Sequence, residues 1–253
     1  MKAVRNIAGA LWAVWGLIIF TITLFIIIIP ICLTYLIKDP KGMIAFRQIT
    51  RLWMNVFLPL IGCPLSIKGK EYFEKGKNYV VVCNHNSLMD VPVTTPFVPG
   101  ANKTIAKKSF IKVPVFGWVY RKGTVLVDRN SDESRRNSFE EMKKTLQLGL
   151  NMVIYPEGTR NRTGEPLKSF HDGAFRLAIA AKKEIIPAII FNSGKILPPQ
   201  KKFFLWPHKL EMHFLPPVSS EAISNKELKD KVFRIMWNYL EANNKSKDAH
   251  FVK

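Results

Sequence analysis

From residue 6 to residue 37 the chain runs 32 residues without a charge, and this stretch includes the unbroken run Leu24-Phe25-Ile26-Ile27-Ile28-Ile29. A surface helix of a soluble domain would carry a polar stripe at helical spacing, and none is visible here. As a helix, residues 6 to 29 would extend roughly 36 Å at about 1.5 Å per residue, enough to cross a hydrocarbon layer of about 30 Å with some tilt. Pro30 is expected to break or kink it. The apolar stretch is longer than the roughly 7 to 15 residues of a secretory signal. It is followed by Pro30, Ile31, Cys32 and Leu33 rather than by small residues, which predicts a retained anchor.

A second uncharged run, Leu52 to Ile67, is interrupted by Pro59, Gly62 and Pro64 and suits a short interfacial or half-buried element. The basic stretch Lys38, Lys41, Arg47 and Arg51 joins the two runs, so an interfacial or re-entrant hairpin is an alternative to a span. Lys2 and Arg5 precede the first run, so flanking charge does not decide between these, although it favours the cytosolic side for the residues after 38. We expect residues 1–67 to anchor the chain and residues 68–253 to form one domain.

Beyond residue 68 the periodicity changes. Tyr79–Cys83, Thr124–Val127, Met152–Tyr155, Ile185–Phe191 and Leu210–Phe214 read as strands, the first four apolar enough to be buried on both faces. Between them, Phe139, Met142, Leu146 and Leu150 mark a helix over Ser134–Leu150, and residues 172–183 mark another with Asp172 as N-cap. Ser224 followed by Glu227 has the capping-box spacing and opens a C-terminal helix. Strands alternating with helices predict an α/β fold with a mostly parallel sheet flanked by helices. Functional residues in such folds gather just past the strand ends.

Composition narrows the classes. Hydrophobic residues make up 47% of the 253, which excludes a disordered basic tail, and the net charge is +19. Cys32, Cys63 and Cys83 fall at spacings that suggest neither a disulfide framework nor a zinc site, and reduced thiols filling apolar space are expected. His208 and His213 lack carboxylate or cysteine partners at ligand spacing.

Three constellations carry candidate chemistry. The strand at Val80–Cys83 runs into Asn84-His85-Asn86-Ser87 and then Asp90. Five positions on a helix leave His85 and Asp90 about 140° apart, and on a strand the odd spacing puts them on opposite faces. They meet only if the chain turns between them. Asp90 would then fix the tautomer of His85 and leave the other ring nitrogen to take a proton; otherwise His85 is structural and Asp90 a helix cap. Cys83, two residues earlier, is a third possibility as a nucleophile, against which its apolar strand argues. Pro156-Glu157-Gly158-Thr159-Arg160 follows another strand. Gly158 permits close backbone approach, Thr159 offers a hydroxyl and Arg160 a fork suited to phosphate. Glu157 can hold Arg160 or a substrate hydroxyl, and a charged surface turn is the alternative. Lys107 and Lys108 can bind phosphate or form a solvated basic turn.

His-x4-Asp, then Gly-x-Val-Leu-Val-x-Arg ending at Arg129, Pro-Glu-Gly-Thr-Arg and Ile-Ile-Pro-Ala-Ile-Ile, in that order between residues 79 and 191, resemble the four blocks of the glycerolipid acyltransferase family. The Ala-Lys-Lys-Ser-Phe segment resembles its branch acting on 1-acylglycerol 3-phosphate. The resemblance implies that His85 is a general base oriented by Asp90, with no covalent acyl-enzyme, moving an acyl group from a thioester to the sn-2 hydroxyl of lysophosphatidic acid. It implies that Arg160, Lys107 and Arg129 bind the substrate phosphate, that Glu157, Gly158 and Thr159 belong to the acceptor site, and that Pro187 shapes the acyl or donor side. Where many relatives carry lysine after the Phe170 position, this chain has His171, which would weaken a contact there.

On that reading the partners are lysophosphatidic acid, acyl-CoA or acyl carrier protein as co-substrate, and a phospholipid membrane, with no cofactor, no metal and no nucleic acid. The charge would hold the domain on the cytosolic face of an anionic membrane, as in a bacterial inner membrane. Lys195–Lys209, with Phe203, Phe204, Leu205 and Trp206 between basic residues, is expected to touch membrane or donor. The competing readings are the same chemistry on glycerol 3-phosphate or another lysolipid, a thioesterase, and a non-catalytic binder of anionic lipid or nucleic acid.

Overall fold

The computed structural model describes residues 2–128 and 131–248. Helix α1 (Lys2–Leu33) and helix α2 (Lys41–Leu60) form an antiparallel hairpin, joined by a single 3-10 turn at Thr34–Leu36 and the Asp39-Pro40 bend. Trp12 Nε1 donates to Ile61 O and Trp15 Nε1 to Leu60 O, both at 3.0 Å, while Trp53 Nε1 reaches Thr23 Oγ1 at 2.8 Å. Two of our expectations are corrected here. Pro30 lies inside α1 and does not break it: the helix continues to Leu33, where Thr34 Oγ1 donates to Ile31 O. The basic stretch is no linker: Lys41, Arg47 and Arg51 are the exposed or half-buried positions of α2, whose other face buries Met43, Phe46, Thr50, Trp53, Met54 and Phe57.

Seven strands complete the sheet: β1 (Leu65–Lys68), β2 (Val80–Cys83), β3 (Asn102–Lys107), β4 (Thr124–Val127), β5 (Asn151–Ile154), β6 (Ile185–Phe191) and β7 (Leu210–Phe214). They lie in the order β1-β7-β6-β2-β5-β3-β4, and every pair is parallel except β6 with β7. The expected α/β fold with a mostly parallel sheet is thus present. Period-two alternation divides β2 between two cores. Val81 and Cys83 face the hairpin together with α3 (Asp90–Phe97) and α4 (Phe116–Lys122). Val80 and Val82 face α5 (Asp132–Gln147), α6 (Gly173–Ala181) and α8 (Asn225–Asp248). A one-turn helix, α7 (Ser193–Ile196), comes directly after β6.

The caps match the sequence in part. Ser224 and Glu227 exchange the reciprocal bonds of a capping box, Ser224 N to Glu227 Oε2 at 3.0 Å and Glu227 N to Ser224 Oγ at 3.3 Å. Asp172 occupies the N-cap of α6 without capping it, because its Oδ1 accepts from Lys229 Nζ at 2.7 Å.

The hairpin is fixed to the sheet by charge and by packing. Asp39 accepts Lys103 Nζ and Lys122 Nζ, each at 3.1 Å. Burial works to raise its carboxyl, yet the two ammonium groups hold it below the usual carboxylate range. Near the start of α1, Leu205 N donates to Gly9 O at 3.0 Å and the Phe204 ring fills the space where a Cβ on Gly9 would stand. This divides the apolar residues of the 195–209 loop between the fold and the surface. Phe204 and Leu205 are buried against α1, and of its apolar residues Phe203 stands out at 54% exposure.

Candidate active site

His85 leaves the end of β2 on a loop held from three sides. Asn84, fully buried, exchanges bonds with Ile190 of β6, Nδ2 to Ile190 O at 3.0 Å and Ile190 N to Oδ1 at 2.7 Å. Ser87 Oγ donates to Leu197 O at 2.9 Å. Asn161 N donates to His85 O at 2.6 Å. The chain turns between residues 84 and 87 and enters α3 at Asp90, which resolves the spacing problem. His85 Nδ1 lies 2.7 Å from Asp90 Oδ2, and the same oxygen accepts Asn86 N and Ser87 N, each at 2.8 Å. Asp90 is fully buried. A carboxylate that already accepts two backbone N–H groups at one oxygen takes the third hydrogen from Nδ1, so the neutral imidazole is held as the Nδ1–H tautomer, which leaves Nε2 to accept a proton. The ring stacks on Tyr155, centroids 4.5 Å apart, and Tyr155 is held by a bond of 2.7 Å between its hydroxyl and Thr94 Oγ1. Burial keeps that phenol protonated far above its ordinary pKa.

Glu157 is wholly buried and departs from the expected acceptor contact. Its Oε1 accepts His85 N at 2.7 Å and its Oε2 accepts Lys168 N at 3.0 Å, so both oxygens are turned onto backbone rather than toward Arg160 or a substrate. Burial pushes its carboxyl up to about 7, against the pull of the two N–H donors. It positions the histidine loop. Cys83 is also fully buried, and burial holds its thiol well above the ordinary range, as expected of a packing residue.

A cleft of about 720 Å³ opens beside His85, past the carboxyl end of β5 and along β3 to Lys107, with Gly123 and Thr124 at the start of β4 on its wall. Gly158, Thr159, Arg160 and Lys107, expected to share one site, line it together near the histidine. Lys107 is the exposed last residue of β3, and Gly158 takes φ +71°, a left-handed turn that lets the backbone follow the rim. Thr159 Oγ1 accepts Lys168 Nζ at 3.1 Å. Arg162, two residues beyond the Pro-Glu-Gly-Thr-Arg block and not among the expected site residues, lines the cleft as well. The far part is apolar and is built by elements remote in sequence: Phe20 of α1, Phe46 and Trp53 of α2, Val91 of α3, and Phe116 and Tyr120 of α4.

Two of the expected residues do not line the cleft, and a third cannot be placed. Arg129 lies outside the described residues. Pro187 is buried within β6 opposite Val82 and does not line the cleft. His171 is exposed, bonds through its backbone to Pro156 O at 2.8 Å, and does not line the cleft either.

A cleft that is cationic at its mouth and apolar in its depth, at the carboxyl edge of a parallel sheet, defines an α/β enzyme shaped for an amphipathic anion. The acyltransferase family model matches residues 64–191, half of the chain, and the protein belongs to that family. It is 29% identical over 204 residues to "1-acyl-sn-glycerol-3-phosphate acyltransferase alpha" of Mus musculus, a match covering 79% of this chain and 69% of that one. It is 31% identical over 188 residues to the 1-acyl-sn-glycerol-3-phosphate acyltransferase of Saccharomyces cerevisiae, covering 72% of this chain and 59% of the yeast protein. The fold is shared with the crystal structure of the 1-acyl-sn-glycerophosphate (LPA) acyltransferase PlsC from Thermotoga maritima, with a TM-score of 0.79 at 23% identity over 96% of this chain and 98% of that one.

Proposed function

We propose that this protein transfers a fatty acyl group from an acyl thioester, of coenzyme A or of acyl carrier protein, to the sn-2 hydroxyl of 1-acylglycerol 3-phosphate, yielding phosphatidic acid. The observation that carries the reading is the 2.7 Å contact of His85 Nδ1 with buried Asp90, set beside a cleft with Arg160 and Lys107 at its mouth. The names of the relatives supply the acceptor. In the reaction His85 Nε2 takes the proton of the acceptor hydroxyl as its oxygen attacks the thioester carbonyl. The carbon–sulfur bond then breaks, and the same proton passes to the departing thiolate, so base and acid are one residue. With Cys83 buried and protonated, direct attack without an acyl-enzyme is the simpler course. Arg160 and Lys107 would hold the phosphate, and the apolar depth an acyl chain.

The membrane enters through α1. Val4, Ile7, Leu11, Trp15, Ile18, Ile22, Phe25, Ile29 and Leu33 form an exposed apolar stripe at three- and four-residue spacing along its length. The opposite face packs on the domain through Ala13, Leu24 and Ile31 and through the Phe20–Phe116 ring contact at 5.8 Å. Although α1 is long and apolar enough to span, a span would carry the cleft wall into hydrocarbon. We therefore read it as lying in the interface with the stripe down and the cleft opening toward lipid. The net charge of +19 favours an anionic surface and anionic donors.

Thiol release from oleoyl-CoA with and without 1-acylglycerol 3-phosphate tests the reading. Acceptor-dependent release supports it, and release without acceptor would favour a thioesterase.

A further inference from the structure

On the other side of the His85 loop the carboxyl edge of the sheet carries a second cavity, of about 360 Å³, at the end of β6. One wall is the loop from Asn161 to Pro166 and the other the segment from Asn192 to Gln200. Two residues connect it with the site already described. Asn86, the neighbour of His85, lines the second cavity, and Arg162 lines both. The first wall is stiff: Asn161 Nδ2 donates to Glu165 O at 2.8 Å, its Oδ1 accepts Thr163 N at 2.9 Å, and its backbone N–H is the donor to His85 O. Four polar groups on the lining, the side-chain amides of Asn86 and Gln200, the guanidinium of Arg162 and the ammonium of Lys195, have no partner among the described residues.

We propose that this cavity receives the phosphopantetheine arm of the acyl thioester, with Arg162 and Lys195 on its phosphate and Asn86 and Gln200 on its amide groups. The inference rests on the acyl-transfer reading above and adds to it the place of the donor. A thioester whose carbonyl stands at His85 extends in two directions. Its alkyl chain matches the apolar depth of the first cleft, whose cations at Arg160 and Lys107 are taken by the acceptor phosphate. The sulfur must leave another way, along a path that offers amide partners to an amide-bearing chain and cations to the phosphate at its end. Within the described residues the cavity over β6 offers both, beginning one residue from the base. The arrangement lets acceptor and donor approach His85 from opposite sides of its loop, so that the thiol departs without crossing the bound lipid.

The test compares KM values, at saturating 1-acylglycerol 3-phosphate, for oleoyl-CoA, oleoyl acyl carrier protein and the oleoyl thioester of N-acetylcysteamine, which has no phosphate. The variants are Lys195→Glu, which reverses the charge, and Gly194→Leu, which narrows the cavity. A Cβ on Gly194 would stand 3.6 Å from Asn86 Cβ, an ordinary contact, so the second variant is compatible with the backbone. Lys195→Glu should raise KM for phosphate-bearing donors on the order of tenfold, leaving the KM of the truncated thioester and of the acceptor within about twofold. Gly194→Leu should raise KM for the same donors while the melting temperature stays that of the parent. A penalty confined to coenzyme A or to carrier protein would support the site and identify which carries the arm. Unchanged donor KM in both variants, an equal penalty of Lys195→Glu on the truncated thioester, or a penalty on the acceptor would overturn the proposal. No transfer by the wild-type protein from any donor would overturn the acyl-transfer reading, and this proposal with it.

Discussion

The backbone N–H of His85 donates to Oε1 of Glu157 at 2.7 Å, across 72 positions of sequence, so the loop after β5 sets how the histidine leaves β2. The second oxygen of the same carboxylate takes Lys168 N at 3.0 Å. One buried side chain thereby ties the histidine loop to the chain that leads into α6.

That tie has a pH signature. Burial raises the Glu157 carboxyl from 4.5 to about 7, so the folded chain holds a proton that the unfolded chain releases. The stability from this group is fully present below the unfolded value and is lost as the pH rises through the folded one, a change on the order of 3 kcal/mol. Thermal unfolding from about pH 5 to about pH 8 should show the wild type losing more stability than Glu157→Gln across that window. Parallel curves would contradict the assignment. The variant should also lose activity, since its amide presents a donor to one of the two backbone N–H groups.

Asp90→Asn puts an amide where Oδ2 now accepts three hydrogens. The imidazole would lose its fixed tautomer, and kcat should drop on the order of 10³-fold with acceptor KM nearly unchanged. Steady-state kinetics with both substrates varied decides this. A rise in KM alone would mean that Asp90 shapes binding rather than the base.

Arg160→Ala should act on the acceptor. Losing a charge-assisted contact to phosphate costs about 1.5 to 3 kcal/mol, or roughly 10- to 100-fold in the KM for 1-acylglycerol 3-phosphate. Activity on a monoacylglycerol, which lacks the phosphate, should be as low in the variant as in the wild type. A variant impaired with donor rather than acceptor would reassign the residue.

Interfacial seating of α1 predicts that Ile18→Glu combined with Phe25→Glu, both on the exposed stripe, weakens sedimentation with anionic vesicles by more than tenfold while the fold is retained. Alkaline carbonate should release the wild-type protein from membranes. Retention through that wash, with vesicle binding indifferent to both substitutions, would mean that the helix spans.

The features that the sequence discloses and those that it hides differ for physical reasons. The His85 and Pro-Glu-Gly-Thr-Arg blocks lie just past buried strands, while the other two blocks contain β4 and β6 themselves. The i to i+5 spacing of His85 and Asp90 excludes every regular element, and that they can meet only across a turn is legible in the chain. Strands β1 and β3 escape notice because LSIK merges with the end of the uncharged run that begins at Leu52, and NKTIAK opens with three polar residues, its alternation lying in burial and not in residue type. Helix α3 is masked by Pro92, Pro96 and its run of β-branched residues. Helix α2 reads as two pieces when uncharged runs are counted, because its charges sit on one face of a continuous helix. The role of Glu157 is hidden for another reason: a motif gives residue type and order, whereas which way a carboxylate turns depends on tertiary packing. The apolar cleft is hidden most deeply, since Phe20, Phe46, Val91 and Phe116 come from four helices that only the fold brings together.

The most direct measurement is thiol release from oleoyl-CoA, and in parallel from oleoyl acyl carrier protein, by membranes bearing the wild-type protein or His85→Ala, with and without 1-acylglycerol 3-phosphate. The account predicts release that depends on the acceptor, forms phosphatidic acid in equal amount, and vanishes in His85→Ala. Acceptor-dependent release that survives in His85→Ala would contradict it.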